Sequence, residues 1–190
     1  MPVKVKIKPF HKKTTTPLLR PKPGDGTYTR RIELKSNSAL DRALVLNLAA
    51  DHHSAILYLD VHSSTPFRVS LDLRLRKTAQ LRLKILIRAF VDNFKVDLLV
   101  KGVLFDTSQL EITTDTLLRA QTIESGYINV QERFILHNKA ILLSTPKFSL
   151  LPGGIEQIHG MVVYSLSHKE EYFLGCRGFD PVRARALVSL

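Results

Sequence analysis

From Arg68 to Arg76 the chain alternates strictly. Val69, Leu71, Leu73 and Leu75 take one set of positions, and Ser70, Asp72, Arg74 and Arg76 take the other. After a short polar interval Leu81, Leu83, Ile85 and Ile87 repeat the pattern. A period of two puts every apolar side chain on one face of an extended strand, which is then buried on that face and wet on the other. The pattern starts at Arg31–Lys35, where Ile32 and Leu34 share a face, and returns at Leu44, Leu46 and Leu48 and at Ala55–Val61. It continues through Phe94–Val100, Val103–Phe105, Leu110–Thr113, Tyr127–Val130, Phe134–Leu136, Ala140–Leu143, Phe148–Leu151, Ile155–Ile158 and Met161–Tyr164. Strand segments recur every roughly twelve to fifteen residues, joined by short polar turns. No long amphipathic helix intervenes before Ser167, which argues against a βαβ architecture. A sandwich, a barrel or a solenoid remains. Identity between successive segments is too low for periodicity alone to choose among them.

With 190 residues, 44% of them hydrophobic, the chain has the means for one domain with its own core. We read three parts: a basic leader at 1–27, a β core at 28–166 and a helical segment at 167–190. The leader holds Pro2, Pro9, Pro17, Pro21 and Pro23, and proline has no N–H for a ladder. Val3, Val5 and Ile7 alternate with lysines, so a short edge strand fits there. The formal net charge is +11. Much of it lies in residues 1–31, where Lys4, Lys6, Lys8, Lys12, Lys13, Arg20, Lys22, Arg30 and Arg31 face only Asp25. Such an arm can bind nucleic acid or anionic lipid, so a basic adaptor working through residues 1–31 is one alternative function. No aromatic or glycine-rich RNA-binding signature accompanies the charge, and a solvated leader is the plainer expectation. Cys176 is the only cysteine, which fits a reducing compartment, and the expected location is cytoplasmic. There is no run of eighteen apolar residues and no apolar signal region, so no membrane partner is expected.

The sequence lacks a phosphate-binding glycine loop, an H-E-x-x-H, a C-x-x-C and a G-x-S-x-G, so a binding role is expected over an enzymatic one. The densest titratable cluster is Asp51-His52-His53 with His62. On a strand, adjacent histidines point to opposite faces and cannot share a metal. On a turn they could. His159 follows the strand Ile155–Ile158 and precedes Gly160, and an imidazole there, with Glu156 or Gln157 beside it, is a candidate iron or zinc ligand.

The last forty residues carry the most specific pattern. Ser167 and Glu170 form a capping box, and Glu170-Glu171 suit the positive end of a helix. Gly178 supplies a stop, and Asp180-Pro181 starts a second helix along Val182, Ala186, Leu187 and Leu190. His159-Gly160, Glu170-Glu171, Phe173-Leu174, Arg177-Gly178 and Ala184–Leu187, with Lys101-Gly102-Val103-Leu104 upstream, together resemble the core domain of the SufB/SufD family, the scaffold proteins of iron–sulfur cluster assembly. The resemblance covers roughly residues 70–190. It implies a fold: an all-β parallel β-helix, or β-solenoid, with two short C-terminal helices. It also implies a role as a scaffold subunit of the SUF system. The partners would be an ABC-type ATPase and a second SufB/SufD-like subunit or a second copy, joined edge to edge, with Phe134–Leu151 as the candidate edge segment. In the family the C-terminal helices dock on the ATPase, which makes Tyr172, Phe173, Arg177, Phe179, Val182 and Leu187 the candidate partner-binding residues. His159 matches the family's motif histidine, and Cys176 is a weaker candidate ligand. The family's cysteine ligands on the β-helix have no counterpart in residues 1–175, so a cluster is expected only when shared with a partner. A third expectation is a β-solenoid binding protein with no iron–sulfur role.

Overall fold

The computed structural model describes residues 4–6, 28–35, 41–48, 52–119, 122–137, 139–147, 154–165 and 168–177. Their strands are β1 (Lys4–Lys6), β2 (Tyr28–Leu34), β3 (Asp41–Leu48), β4 (His52–Val61), β5 (Phe67–Leu75) and β6 (Gln80–Ala89). Then come β7 (Phe94–Leu104), β8 (Gln109–Leu118), β9 (Ser125–Leu136), β10 (Ile141–Pro146) and β11 (Gly154–Ser165), followed by one helix, α1 (His168–Cys176). The chain alternates between two sheets. Odd strands form one in the order β1-β3-β5-β7-β9-β11, and even strands form the other in the order β10-β8-β6-β4-β2. Each circuit therefore lays one strand on each sheet, and the result is a parallel β-solenoid of about four turns. Every ladder is parallel except β1 on β3, which is antiparallel.

The predicted inward faces are the core. Val69, Leu71, Leu73 and Leu75 of β5 and Leu81, Leu83, Ile85 and Ile87 of β6 are all buried, as are Ile32 and Leu34. Each such side chain contributes about 1.5–3 kcal/mol on leaving water. The repeat is not of constant length. Tyr28 pairs with Ala55, His52 with Gln80, Gln80 with Gln109 and Gln109 with Ile141, so one turn lengthens from 27 residues to 32. A drifting period hides self-similarity. It survives at one corner as Thr78-Ala79-Gln80-Leu81 and Thr107-Ser108-Gln109-Leu110. There Lys77 and Asp106 take left-handed backbone, with φ of 59° and 61°. The Thr107 N–H donates to the Lys77 carbonyl at 3.1 Å, and the Lys77 N–H donates to Asp106 Oδ2 at 2.9 Å. Arg76 lies over Phe105 at 5.4 Å, and Phe105 stacks on His137 at 4.9 Å, tying three successive turns along the same corner.

Three expected breaks are absent. Phe94–Val100 and Val103–Leu104 belong to one strand, β7, which stops one residue short of the expected Phe105; Tyr127–Val130 with Phe134–Leu136 (β9) and Ile155–Ile158 with Met161–Tyr164 (β11) are likewise continuous. The gaps between those segments fall at Lys101-Gly102, at Gln131-Glu132-Arg133 and at His159-Gly160, and the ladders run through all three. Gly102 has a packing reason. It pairs with Phe134, whose ring would lie 2.9 Å from an added Cβ. At the other end of the same ladder Phe94 pairs with Gly126, where a Cβ would meet its ring at 2.3 Å. Each phenylalanine fills the space its glycine neighbour leaves. The expected strand Phe148–Leu151, the second helix and nearly all of the leader lie outside the described residues, though β1 realises the short edge strand. Among the described residues no helix is long and apolar enough to cross a membrane.

Candidate functional site

The core changes character in its last turn. Ile128, Val130, Glu132 and Phe134 occupy the inward row of β9, so a carboxylate stands where the period calls for an apolar residue. Opposite, β8 turns Thr114 and Thr116 inward. β10 pairs Ser144 with Ile112 and β11 pairs His159 with Val130, which puts both on the inward rows as well. Three strands thereby bring together residues distant in sequence. Glu132 is fully buried. It accepts the Ser144 hydroxyl on Oε2 at 2.6 Å, while His159 Nε2 lies 3.1 Å from Oε1. Which of the two donates depends on the imidazole tautomer. Glu132 and Ser144 sit on different sheets, so the carboxylate also ties the two sheets at the end of the solenoid. Thr114 Oγ1 and Gln157 Nε2 are buried nearby in the same rows, with no hydrogen-bond partner among the described residues.

This geometry amends the expectation for His159. Its companion is Glu132, not Glu156, which is exposed on the outer face. With Nε2 engaged, a metal or cluster would meet the ring only through Nδ1. Among the described residues no group of three His, Cys, Asp or Glu side chains is arranged to hold a metal ion. Cys176 is exposed on α1, and no contact links it to His159 among the described residues. Among the described residues the donors gathered at this end are an imidazole, a carboxylate and a hydroxyl, and these do not fit an iron–sulfur cluster, which takes thiolates. Nor is this a nucleophile relay. Hydroxyl and imidazole both meet the carboxylate, an order different from that of a relay in which the imidazole stands between hydroxyl and carboxylate. The earlier histidine cluster is dispersed: His52 and His53 lie on β4, and His62, past its other end, stacks on Phe90 at 4.5 Å.

The second buried carboxylate, Asp60, is structural. Arg88 donates to it through Nε at 2.7 Å and through a terminal nitrogen at 2.5 Å, and Arg31 approaches at 3.3 Å. The hydrogen bonds from Arg88 to Asp60 hold the guanidinium above its usual pKa. Arg88 also lies over Tyr58 at 4.4 Å.

Around the polar end the surface is apolar. Ile141 and Leu143 are exposed on the outer face of β10, and Ile158, Val162 and Tyr164 on that of β11. Met161 and Val163, on the inward row of β11, are exposed too. The expected edge segment Phe134–Leu151 falls into three parts here. Phe134 is core, residues 148–151 lie outside the described residues, and the exposed apolar edge is shared by β10 and β11. On α1, Tyr172 and Phe173 are exposed, and the Arg177 guanidinium lies 4.2 Å over the Phe173 ring. The Tyr164 hydroxyl donates to Glu170, which links β11 to α1 and raises the phenol's pKa. Phe179, Val182 and Leu187 lie outside the described residues. Glu132 and Ser144 were missed by sequence reasoning. The signal for Glu132 was a charge at an inward position of an otherwise apolar alternation. No protein-family model matches the chain, and no curated protein matches it.

Proposed function

We propose that this protein is a SufB/SufD-like scaffold subunit of an iron–sulfur assembly complex, working by binding and not by catalysis. It pairs through β10 and β11 with a second β-helix subunit, or with its own copy, and it offers α1 to an ABC-type ATPase. The cluster is cargo. This chain contributes at most His159 to it, and the thiolates come from the partner. The observation that carries the reading is the coincidence, at one end of a parallel β-solenoid, of the His159–Glu132 pair with two open apolar edge strands. The exposed Tyr172–Phe173–Arg177 group supports the ATPase contact, since tyrosine and arginine are among the side chains that dominate interfaces.

The test is a pull-down with an ABC-type ATPase as bait, using the unaltered protein and the variants Tyr172→Asp and Phe173→Asp. Burying an unpaired carboxylate at that contact costs several kcal/mol, on the order of a thousandfold in affinity. Lost capture at an unchanged melting temperature supports the reading. Equal capture by all three proteins overturns it.

A further inference from the structure

The two ends of the solenoid differ. In the first turn the inward residues Ile32 and Leu34 are 5% and 0% exposed, whereas in the last turn Met161 and Val163 are 50% and 43% exposed. The backbone edges differ in the same sense. At the far end β11 and β10 are the outermost strands of their sheets, and both continue parallel ladders. At the near end the outermost strand of the larger sheet is β1, laid antiparallel across Val45, Leu46 and Asn47 of β3. It is the one strand of reversed polarity in a stack otherwise wholly parallel. Its sequence is Lys4-Val5-Lys6, with Pro2 and Pro9 close on either side.

A parallel solenoid with two open ends is a template for itself. The last strand of one copy can lie parallel beside the first full strand of the next, and since that contact is heterologous it propagates without closing. Free strand edges are blunted in natural sheets by short strands, lysines and prolines, and solenoids need terminal caps for the same reason. β1 is short and carries two lysines, with Pro2 and Pro9 near it in the sequence, and it occupies the edge of β3 that a second copy's β11 would need. We propose that β1 is a guard against head-to-tail polymerisation. It closes the near end of the larger sheet to a second copy and leaves the β10–β11 end as the edge for association, so that contact between copies is isologous and finite. The inference goes beyond the scaffold reading and does not depend on it, because it concerns the two ends of the fold and no partner other than the chain itself.

The experiment compares the full chain with a form lacking residues 1–9, and with Val5→Pro in the full chain, at tens of micromolar. Light scattering, electron microscopy and far-ultraviolet dichroism are the readouts. The full chain gives one discrete mass. Both altered forms keep the β signature and grow into concentration-dependent filaments with a strand repeat of about 4.8 Å along the axis. Adding Met161→Lys and Val162→Lys to the truncated form, which charges the opposite edge, returns it to a discrete mass. Discrete altered forms overturn the proposal. So does growth indifferent to the two lysines, because the growing edge would then not be β11. Loss of the β signature on truncation or in Val5→Pro also counts against it, since β1 would then be part of the fold and not a guard.

Discussion

Glu132 shows how one side chain can contradict its surroundings and still belong. Its row is apolar, yet its two oxygens are met by Ser144 and His159, so the burial of the carboxylate is offset by charge-assisted hydrogen bonds. Replacing it with alanine removes the hydrogen bond that each of them makes to the carboxylate. Glu132→Ala should lower stability by roughly 3 kcal/mol, while Glu132→Gln, which keeps the shape and the acceptor oxygen, should lose less. Denaturant midpoints at neutral pH decide this, and equal losses for both variants would mean that the ionised carboxylate, and not the filled space or the remaining acceptor, carries the effect. Asp92 is the opposite case, an exposed carboxylate at a corner. The Ser125 N–H at 2.7 Å is its main partner, joined by the Ser125 hydroxyl at 2.9 Å and the Glu124 N–H at 3.0 Å. These bonds favour the ionised form and hold its pKa below the ordinary value. A depressed folded pKa contributes stability that is fully present above the unfolded value and is lost as pH falls through the folded one. The stability gap between the unaltered protein and Asp92→Asn should therefore be constant near neutrality and shrink as acid protonates the group. A gap independent of pH down to acid unfolding would reject the assignment.

At the scale of elements, β7 and β9 are locked by reciprocal fillings: Phe134 over Gly102 and Phe94 over Gly126. A methyl group at residue 102 would meet the Phe134 ring at 2.9 Å and the Leu73 Cβ at 3.2 Å, with core on every side. Gly102→Ala should cost about 1–3 kcal/mol, as overpacking does. Phe134→Leu alone should also destabilise, by opening a cavity. Combined, the two should cost less than their sum, because the smaller side chain makes room for the methyl. A double-mutant cycle with additive losses would show that the ring does not set the limit. The same ladder explains why strands that looked broken in sequence are continuous. A glycine in an isolated strand weakens it, but a glycine opposite a phenylalanine completes a packed pair. The helix α1 was legible from its acidic first turn and aromatic residues, and its link to β11 through Tyr164 and Glu170 was not.

On the scale of the whole molecule, an end that exposes Ile141, Leu143, Ile158, Met161, Val162 and Val163 on the two strands that are outermost among the described residues favours pairing with another chain. We expect a twofold dimer of the full chain at tens of micromolar, and a single species near 21.5 kDa in light scattering would reject it for the isolated protein. Ile158→Lys with Val162→Lys should shift the mass to that of the monomer without lowering the melting temperature, since both side chains lie on the outer face. If the melting temperature falls with the mass, the residues belong to the fold's own cap. Loss of ATPase capture and loss of dimer are separable outcomes, because α1 and the β10–β11 edge carry different side chains.

What the sequence determined by itself was local. Strict alternation decides which residues are strand and which side of each strand is apolar, because a period of two is built into an extended backbone. Hence the inward rows of β5 and β6 could be read from Leu71, Leu73, Leu83 and Ile85 alone. The resemblance over roughly residues 70–190 then pointed to a parallel solenoid, and that architecture is the one found. Only the tertiary structure decided the register. The turns differ in length, so no fixed offset in the sequence tells which residues become neighbours. That register joins Glu132 to His159 and Ser144, seats Phe134 over Gly102, and reverses β1 against the strand it covers. Side-chain chemistry is written residue by residue, but adjacency between coils is set by hydrogen-bond ladders that count every inserted residue, and a single extra residue turns a whole row to the other face.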